Sequence, residues 1–111
     1  MIRVMVSYPN TPGARFDMDY YLNRHLPLVA GLVPAMKGWA VDQGLAGGAP
    51  GSPAEFMIQA HLVFENVEAF ETAMASVGPR IMADIANYTD IQPHIQINKV
   101  LSEGGAQSAA A

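Results

Sequence analysis

No cysteine occurs among the 111 residues, which excludes disulfides, thiolate metal sites, iron–sulfur clusters and cysteine nucleophiles together. Charge is scarce as well. Only 14% of residues are Asp, Glu, Lys or Arg, against roughly 25% in ordinary soluble domains. Basic residues are the rarest part: six face ten acidic ones, for a formal charge of −4, and they form no cluster. Nucleic-acid binding leans on phosphate neutralisation and is disfavoured. No run approaches the ~18 apolar residues of a membrane span. Met1–Tyr8 lacks the basic flank and long apolar run of a signal peptide, so a cytoplasmic protein is expected. What is plentiful is apolar mass, 50% of the chain with seven methionines. The length fits one domain. So much apolar mass with so little charge implies surface covered by a second subunit or folded into a ligand pocket.

The pattern along the chain is legible. Ile2, Val4, Val6 and Tyr8 alternate with Arg3, Met5 and Ser7, as in a half-buried strand that stops at Pro9-Asn10 and Pro12-Gly13. A helix then begins at Asp17 as N-cap, with Phe16 and Tyr21 placed as a hydrophobic staple, and runs to about Gly31. Pro27 falls inside it and cannot donate to the carbonyl of Asn23, so the helix should bend or loosen there. Strands are expected over Met36–Leu45, Phe56–Glu65 and Ile91–Val100, with a Gly/Pro-rich loop over Ala46–Ala54. Asn66 caps a second helix whose stripe is Val67, Phe70, Met74 and Val77; Gly78-Pro79 ends it and starts a short third helix through Ile81, Met82 and Ile85. The tail from Ser102 is small-residue, low-complexity sequence, expected to be disordered. The domain is thus residues 1–101 and the tail 102–111.

The order β-α-β-β-α-β is the ferredoxin-like split βαβ arrangement, an α+β fold with a four-stranded antiparallel sheet. Two helices cover one sheet face only. Strands this apolar argue that the other face is buried on a twin subunit.

Chemistry has few candidates. Tyr21 and His25 are four apart on a helix and can touch; histidine exchanges protons near neutral pH and a tyrosine hydroxyl can hold or polarise it. The plainer alternative is a core histidine bonded to backbone. His61 and His94, on adjacent expected strands, fit an interfacial hydrogen-bond network with Gln59, Gln92 and Gln96. No HxxxH or HxH spacing points to a metal, and none is expected. Tyr88 and Asp90 precede the last strand, either as turn residues or at the mouth of a pocket beside helix one; Trp39, the only tryptophan, is either core or a ligand platform. There is no nucleophile elbow, phosphate loop or dinucleotide fingerprint, so no cofactor is expected.

The ordered set Tyr20-Tyr21-x3-His25-x-Pro27-Leu28, Lys37-Gly38-x5-Gly44-Leu45, the AGGAPGSP loop, Val67-Glu68-Ala69-Phe70 and Asn87-Tyr88-Thr89-Asp90-Ile91-Gln92-Pro93 resembles the EthD family across roughly residues 2–101. The resemblance implies small ferredoxin-like subunits that dimerise into an α/β barrel. The founding member accompanies an oxygenase system degrading ethyl tert-butyl ether. Related families on the same dimeric barrel include cofactor-free monooxygenases, muconolactone isomerases and polyketide cyclases. By the motif match His25 and Pro27 are hallmark positions, and Tyr88 and Asp90 their C-terminal counterparts. The expected function is a cofactor-free oxidoreductase, or a proton-shuttling isomerase or cyclase, acting on a small apolar or aromatic organic ligand. His25 would be acid/base and Tyr21 its orienting partner, with Trp39, His61, Tyr88 and Asp90 around the substrate. The alternative is a non-catalytic accessory or binding protein that supports a partner oxygenase.

Overall fold

The computed structural model describes residues 1–105. Strand β1, Ile2–Pro9, buries Ile2, Val4 and Tyr8 on one face, as its alternation requires. Helix α1 then runs over Met18–Tyr20, a π-helical turn Tyr21–His25, and Leu26–Leu32. Strands β2, Gly38–Gln43, and β3, Phe56–Phe64, lead to helix α2, Val67–Ile85, and strand β4, His94–Lys99, closes the order. β1 pairs antiparallel with β3 and β4, and β2 antiparallel with β3, so the sheet runs β2-β3-β1-β4. This is the expected ferredoxin-like α+β arrangement. Of the expected tail, residues 102–105 are exposed and Glu103 pairs with Arg3 at 2.9 Å; the remainder lies outside the described residues.

Both expected caps form. The Asp17 carboxylate accepts from the Tyr20 N–H, and the Asn66 side chain accepts from the Ala69 N–H at 2.8 Å, each such cap contributing about 1 kcal/mol. Phe16 meets Tyr21 with ring centroids 5.2 Å apart. Pro27 does loosen the helix, in a defined way. The Leu26 N–H reaches back five residues to the Tyr21 carbonyl, and the widened turn makes room for a proline ring that would otherwise press on the carbonyl of Asn23.

Several expectations are corrected. Gly78-Pro79 does not divide α2, which continues to Ile85. The apolar stripe Phe70, Met74, Val77 runs on to the buried Ile81, and burial of that continuous stripe outweighs one lost backbone bond at the exposed Pro79. β2 and β4 are shorter than the apolar pattern suggests, because Met36 and Ile91 pack into the core outside the ladder. The even spacing of Phe56, Ile58, Leu62 and Phe64 places them on one face of β3, but the register irregularity opposite Tyr8/Pro9 turns Phe56 away from the other three, and its ring meets His94 edge-on at 6.1 Å. His61 and His94 are not on adjacent strands. β1 runs between them, with His61 opposite Met5 and His94 opposite Ser7.

The core sits between sheet and helices in two patches. One centres on Val4, Val29, Val33 and Phe64, the other on Tyr8, Tyr21, Ile58 and Tyr88. The helix-free face carries Arg3, Ser7, Asp42, Gln59, His61, His94, Gln96 and Asn98 beside Met5, Ala40 and Val63, and is more polar than the composition suggested. Exposed apolar side chains lie instead at the sheet edges on the helix side, Trp39 at 53% and Ile95 and Ile97 at 48% and 39%. The shortage of charge therefore appears as mostly uncharged polar side chains on one face and exposed apolar edges on the other. No described helix is long and apolar enough to cross a membrane.

Candidate functional site

All four tyrosines of the chain gather around His25. The π turn brings Tyr21 and His25 to one side of α1, where their rings stack 5.8 Å apart at 17°. Tyr88, at the end of α2, approaches the imidazole to 4.7 Å. Tyr8 comes from β1 and meets Tyr21 and Tyr88 edge-on. Tyr20 stacks on Tyr88 at 6.2 Å. The segment after α2 is latched to the entrance of α1. The Asp17 N–H donates to the Tyr88 carbonyl at 2.7 Å, the buried Thr89 hydroxyl to the Arg15 carbonyl at 2.6 Å, and the Arg15 N–H to Asp90 Oδ1 at 3.0 Å. Residues far apart in sequence are thereby held against one another.

The group that orients His25 is Asp84. Its Oδ2 lies 2.9 Å from His25 Nδ1, while Oδ1 accepts from the Tyr20 hydroxyl at 2.7 Å and from Asn87 Nδ2 at 2.9 Å. Burial pushes the Asp84 carboxyl up, but the three hydrogen bonds from His25, Asn87 and Tyr20 outweigh it and hold the group below its ordinary 3.8. An ionised carboxylate only accepts, so Nδ1 carries a proton, and in the neutral ring Nε2 is the acceptor. Among the described residues no fully buried side-chain nitrogen or oxygen lacks a partner. Nε2 makes no hydrogen bond within them, so it is the edge through which this ring, 5% exposed, still reaches solvent. Histidine with one nitrogen fixed by a carboxylate and the other free is the arrangement of an acid/base group.

The tyrosines set the surroundings. Burial raises Tyr8 above its ordinary 10.0, against a smaller opposing effect of the hydrogen bond from Tyr88, and burial likewise pushes Tyr21 and Tyr88 well up. All three remain protonated across the physiological range. Tyr8 and Tyr88 share a hydroxyl–hydroxyl bond of 2.5 Å, which uses one of their two protons and leaves the other as a donor.

Tyr21 thus touches His25 by ring stacking, and the hydrogen bond expected of it comes from Asp84. Tyr88 is fully buried in the cluster, away from any pocket mouth. Asp90 holds the Arg15 backbone. Trp39 and His61 are elsewhere, around a hollow of about 330 Å³ at the β2–β3 edge, where His61 Nε2 is 2.7 Å from Asp42 Oδ2. The larger hollows, about 680 and 470 Å³, lie between Leu32–Ala35 and the start of α2 and beside Pro12–Ala14, and neither is lined by His25, Tyr21 or Tyr88. No group of three His, Asp or Glu side chains that could hold a metal occurs among the described residues.

Asp84, Tyr8, Tyr20 and Thr89 were not singled out from sequence. For Asp84 a signal exists: it takes the next place on the stripe Phe70, Met74, Val77, Ile81, an acid where an apolar residue belongs. Ending the helix at Pro79 hides it. Asp84 also gives the site a pH signature. A carboxylate held below its ordinary value contributes stability that is complete above the unfolded value and lost as pH falls through the lower native one. Urea midpoints of wild type and Asp84→Asn should therefore differ at pH 7 and converge as pH falls below the ordinary carboxylate range; an equal gap at neutral and acid pH would show that the carboxylate is not held as described.

A family model described as the EthD domain matches residues 14–92. An EthD-like protein from Ralstonia eutropha JMP134 is 44% identical, with a TM-score of 0.87, 93% of this chain and 94% of that one being covered. A hydroxynitrile lyase from Passiflora edulis is 14% identical at a TM-score of 0.68, over 94% and 96% of the two chains. A dimeric ferredoxin-like protein from Thermobifida fusca is 14% identical at a TM-score of 0.56, over 89% and 90%. No curated protein matches. The last two likenesses concern the fold alone, whereas the first extends over nearly all of both sequences and, with the domain match, shows that the chain belongs to the EthD family.

Proposed function

We propose that this chain is a small-molecule acid–base enzyme of the cytoplasm, in which His25 Nε2 takes a proton from an apolar or aromatic organic substrate and Asp84 is the positioning residue. The observation that carries this reading is the pairing of His25 Nδ1 with a half-buried, ionised carboxylate at 2.9 Å. The carboxylate fixes the tautomer and stabilises the imidazolium formed when Nε2 accepts a proton. Removing a proton from an electron-rich substrate is the step common to cofactor-free oxygenation, in which the carbanion then reacts with dioxygen, and to isomerisation or cyclisation, in which it is reprotonated or closes on itself. The hydroxynitrile lyase of similar fold supports a small-molecule enzyme on this scaffold.

Mass spectrometry of the protein as purified, followed by turnover assays on the class of molecule recovered, with dioxygen present and absent, separates these chemistries. Activity retained by His25→Gln removes the histidine from the mechanism. One observation favours the second reading, a binding or accessory protein for a partner oxygenase: the tyrosines fill the space around His25, and none of the hollows described above is lined by it. That reading predicts ligand binding without turnover until the partner is added.

The working unit in this proposal is a homodimer joined through the helix-free sheet face, whose mostly uncharged side chains, Arg3 and Asp42 apart, are cheaper to desolvate than a charged surface. The dimeric Thermobifida protein supports it. Sedimentation equilibrium at micromolar concentration should return twice 11.9 kDa; a monomer rejects the dimer.

A further inference from the structure

The outer seam of the two helices holds a groove that the acid–base reading does not use. Tyr20, Arg24 and Leu28 line it from successive turns of α1, and Arg80, Asp84 and Asn87 from α2 and its end, around about 410 Å³. The cations are the unusual part. The chain has four arginines. Arg3 pairs with Glu103, and Arg15 donates to the Ala86 carbonyl at 2.8 Å. Arg24 and Arg80 make no hydrogen bond or ion pair among the described residues, and both line this one groove although 56 positions separate them. Asp84, the acid in the same lining, is bonded by His25, Tyr20 and Asn87 and makes no ion pair with either guanidinium. In a chain of net charge −4, two exposed arginines thus line one groove whose single acid, Asp84, is bonded to other residues.

We propose that this groove binds a small oxyanion, the carboxylate of an organic acid or a phosphate group, clamped between Arg24 and Arg80. Guanidinium groups present paired N–H donors matched to such an oxyanion. Leu28 supplies an apolar wall for the carbon part of an organic acid. The side of Asp84 bonded to Tyr20 and Asn87 faces the groove, while its other oxygen faces His25, so the occupant lies one carboxylate away from the imidazole. The site does not depend on what His25 does.

The test is a titration of the full chain with sodium phosphate and, separately, sodium benzoate, each at ionic strength held constant with sodium chloride. The arginine Nε–H resonances are followed by NMR. The expected result is saturable, concerted shifts of Arg24 and Arg80 with one of the anions, and at least tenfold weaker binding in Arg24→Gln and in Arg80→Gln. Arg3→Gln should bind as wild type does. Tighter benzoate identifies an organic acid, and tighter phosphate a phosphate group. Shifts that grow linearly with both anions, or saturable binding that survives both groove substitutions, overturn the proposal.

Discussion

Tyr88→Ala is expected to destabilise the fold by about 4 kcal/mol, within the range for removing a fully buried aromatic side chain and a large part of the ~5–15 kcal/mol available to a domain of this kind. Tyr88 is fully buried and lies against Tyr8, Phe16, Tyr20, Tyr21 and His25. Removing its ring opens a cavity at the meeting point of β1, α1 and the end of α2, and strands the Tyr8 hydroxyl. Tyr88→Phe keeps the ring and removes only the shared hydrogen bond, so a smaller cost of about 1–3 kcal/mol is expected for an unpaired Tyr8 hydroxyl. Urea denaturation of the three proteins gives both numbers. A loss below 1 kcal/mol in Tyr88→Ala would mean that the tyrosine cluster does not close the core.

The second large effect is on turnover. His25→Gln should lower kcat on the cognate substrate by about 10²–10⁴-fold, the usual contribution of a positioned acid/base group, with the fold intact because a polar side chain of similar reach stays beside Asp84. Asp84→Asn should act through the histidine. Without an ionised acceptor the ring is free to place its proton on either nitrogen, and the fraction with Nε2 free falls. The expected signature is a reduced kcat with an altered pH–rate profile and, in ¹⁵N NMR of the imidazole, a shift from the Nδ1–H tautomer toward a mixture. A merely structural Asp84 would lower the midpoint of unfolding and leave tautomer and pH profile unchanged.

The fold was readable because its signals are local. Period-two alternation in Ile2–Tyr8, side-chain caps at Asp17 and Asn66, and an apolar stripe through Phe70 and Met74 each act within one or two turns of chain. They carry the element order and hence the ferredoxin-like arrangement. Where the reading failed, a distant contact overrode a local rule. Pro79 ends a helix by propensity but not when Ile81 is drawn into the core beside Val4 and Phe64. Phe56 belongs by parity with Ile58, but an irregularity in pairing with β1 sends it to His94.

The candidate site divides along the same line. His25 and Tyr21 stand out in the sequence because they share a helix, and Pro27 because it disturbs one. Asp84 is 59 positions from His25 and Tyr8 is 80 from Tyr88, and no period or spacing relates such pairs. By itself the sequence determined the α+β class, the caps, the absence of thiol chemistry and the histidine worth testing, since propensity and composition act residue by residue. Only the tertiary structure decided what that histidine is bonded to, that Tyr21 and Tyr88 pack against it with Tyr8 and Tyr20 behind them, and that two arginines line one groove nearby, because those relations exist only once α1, α2 and β1 are packed together.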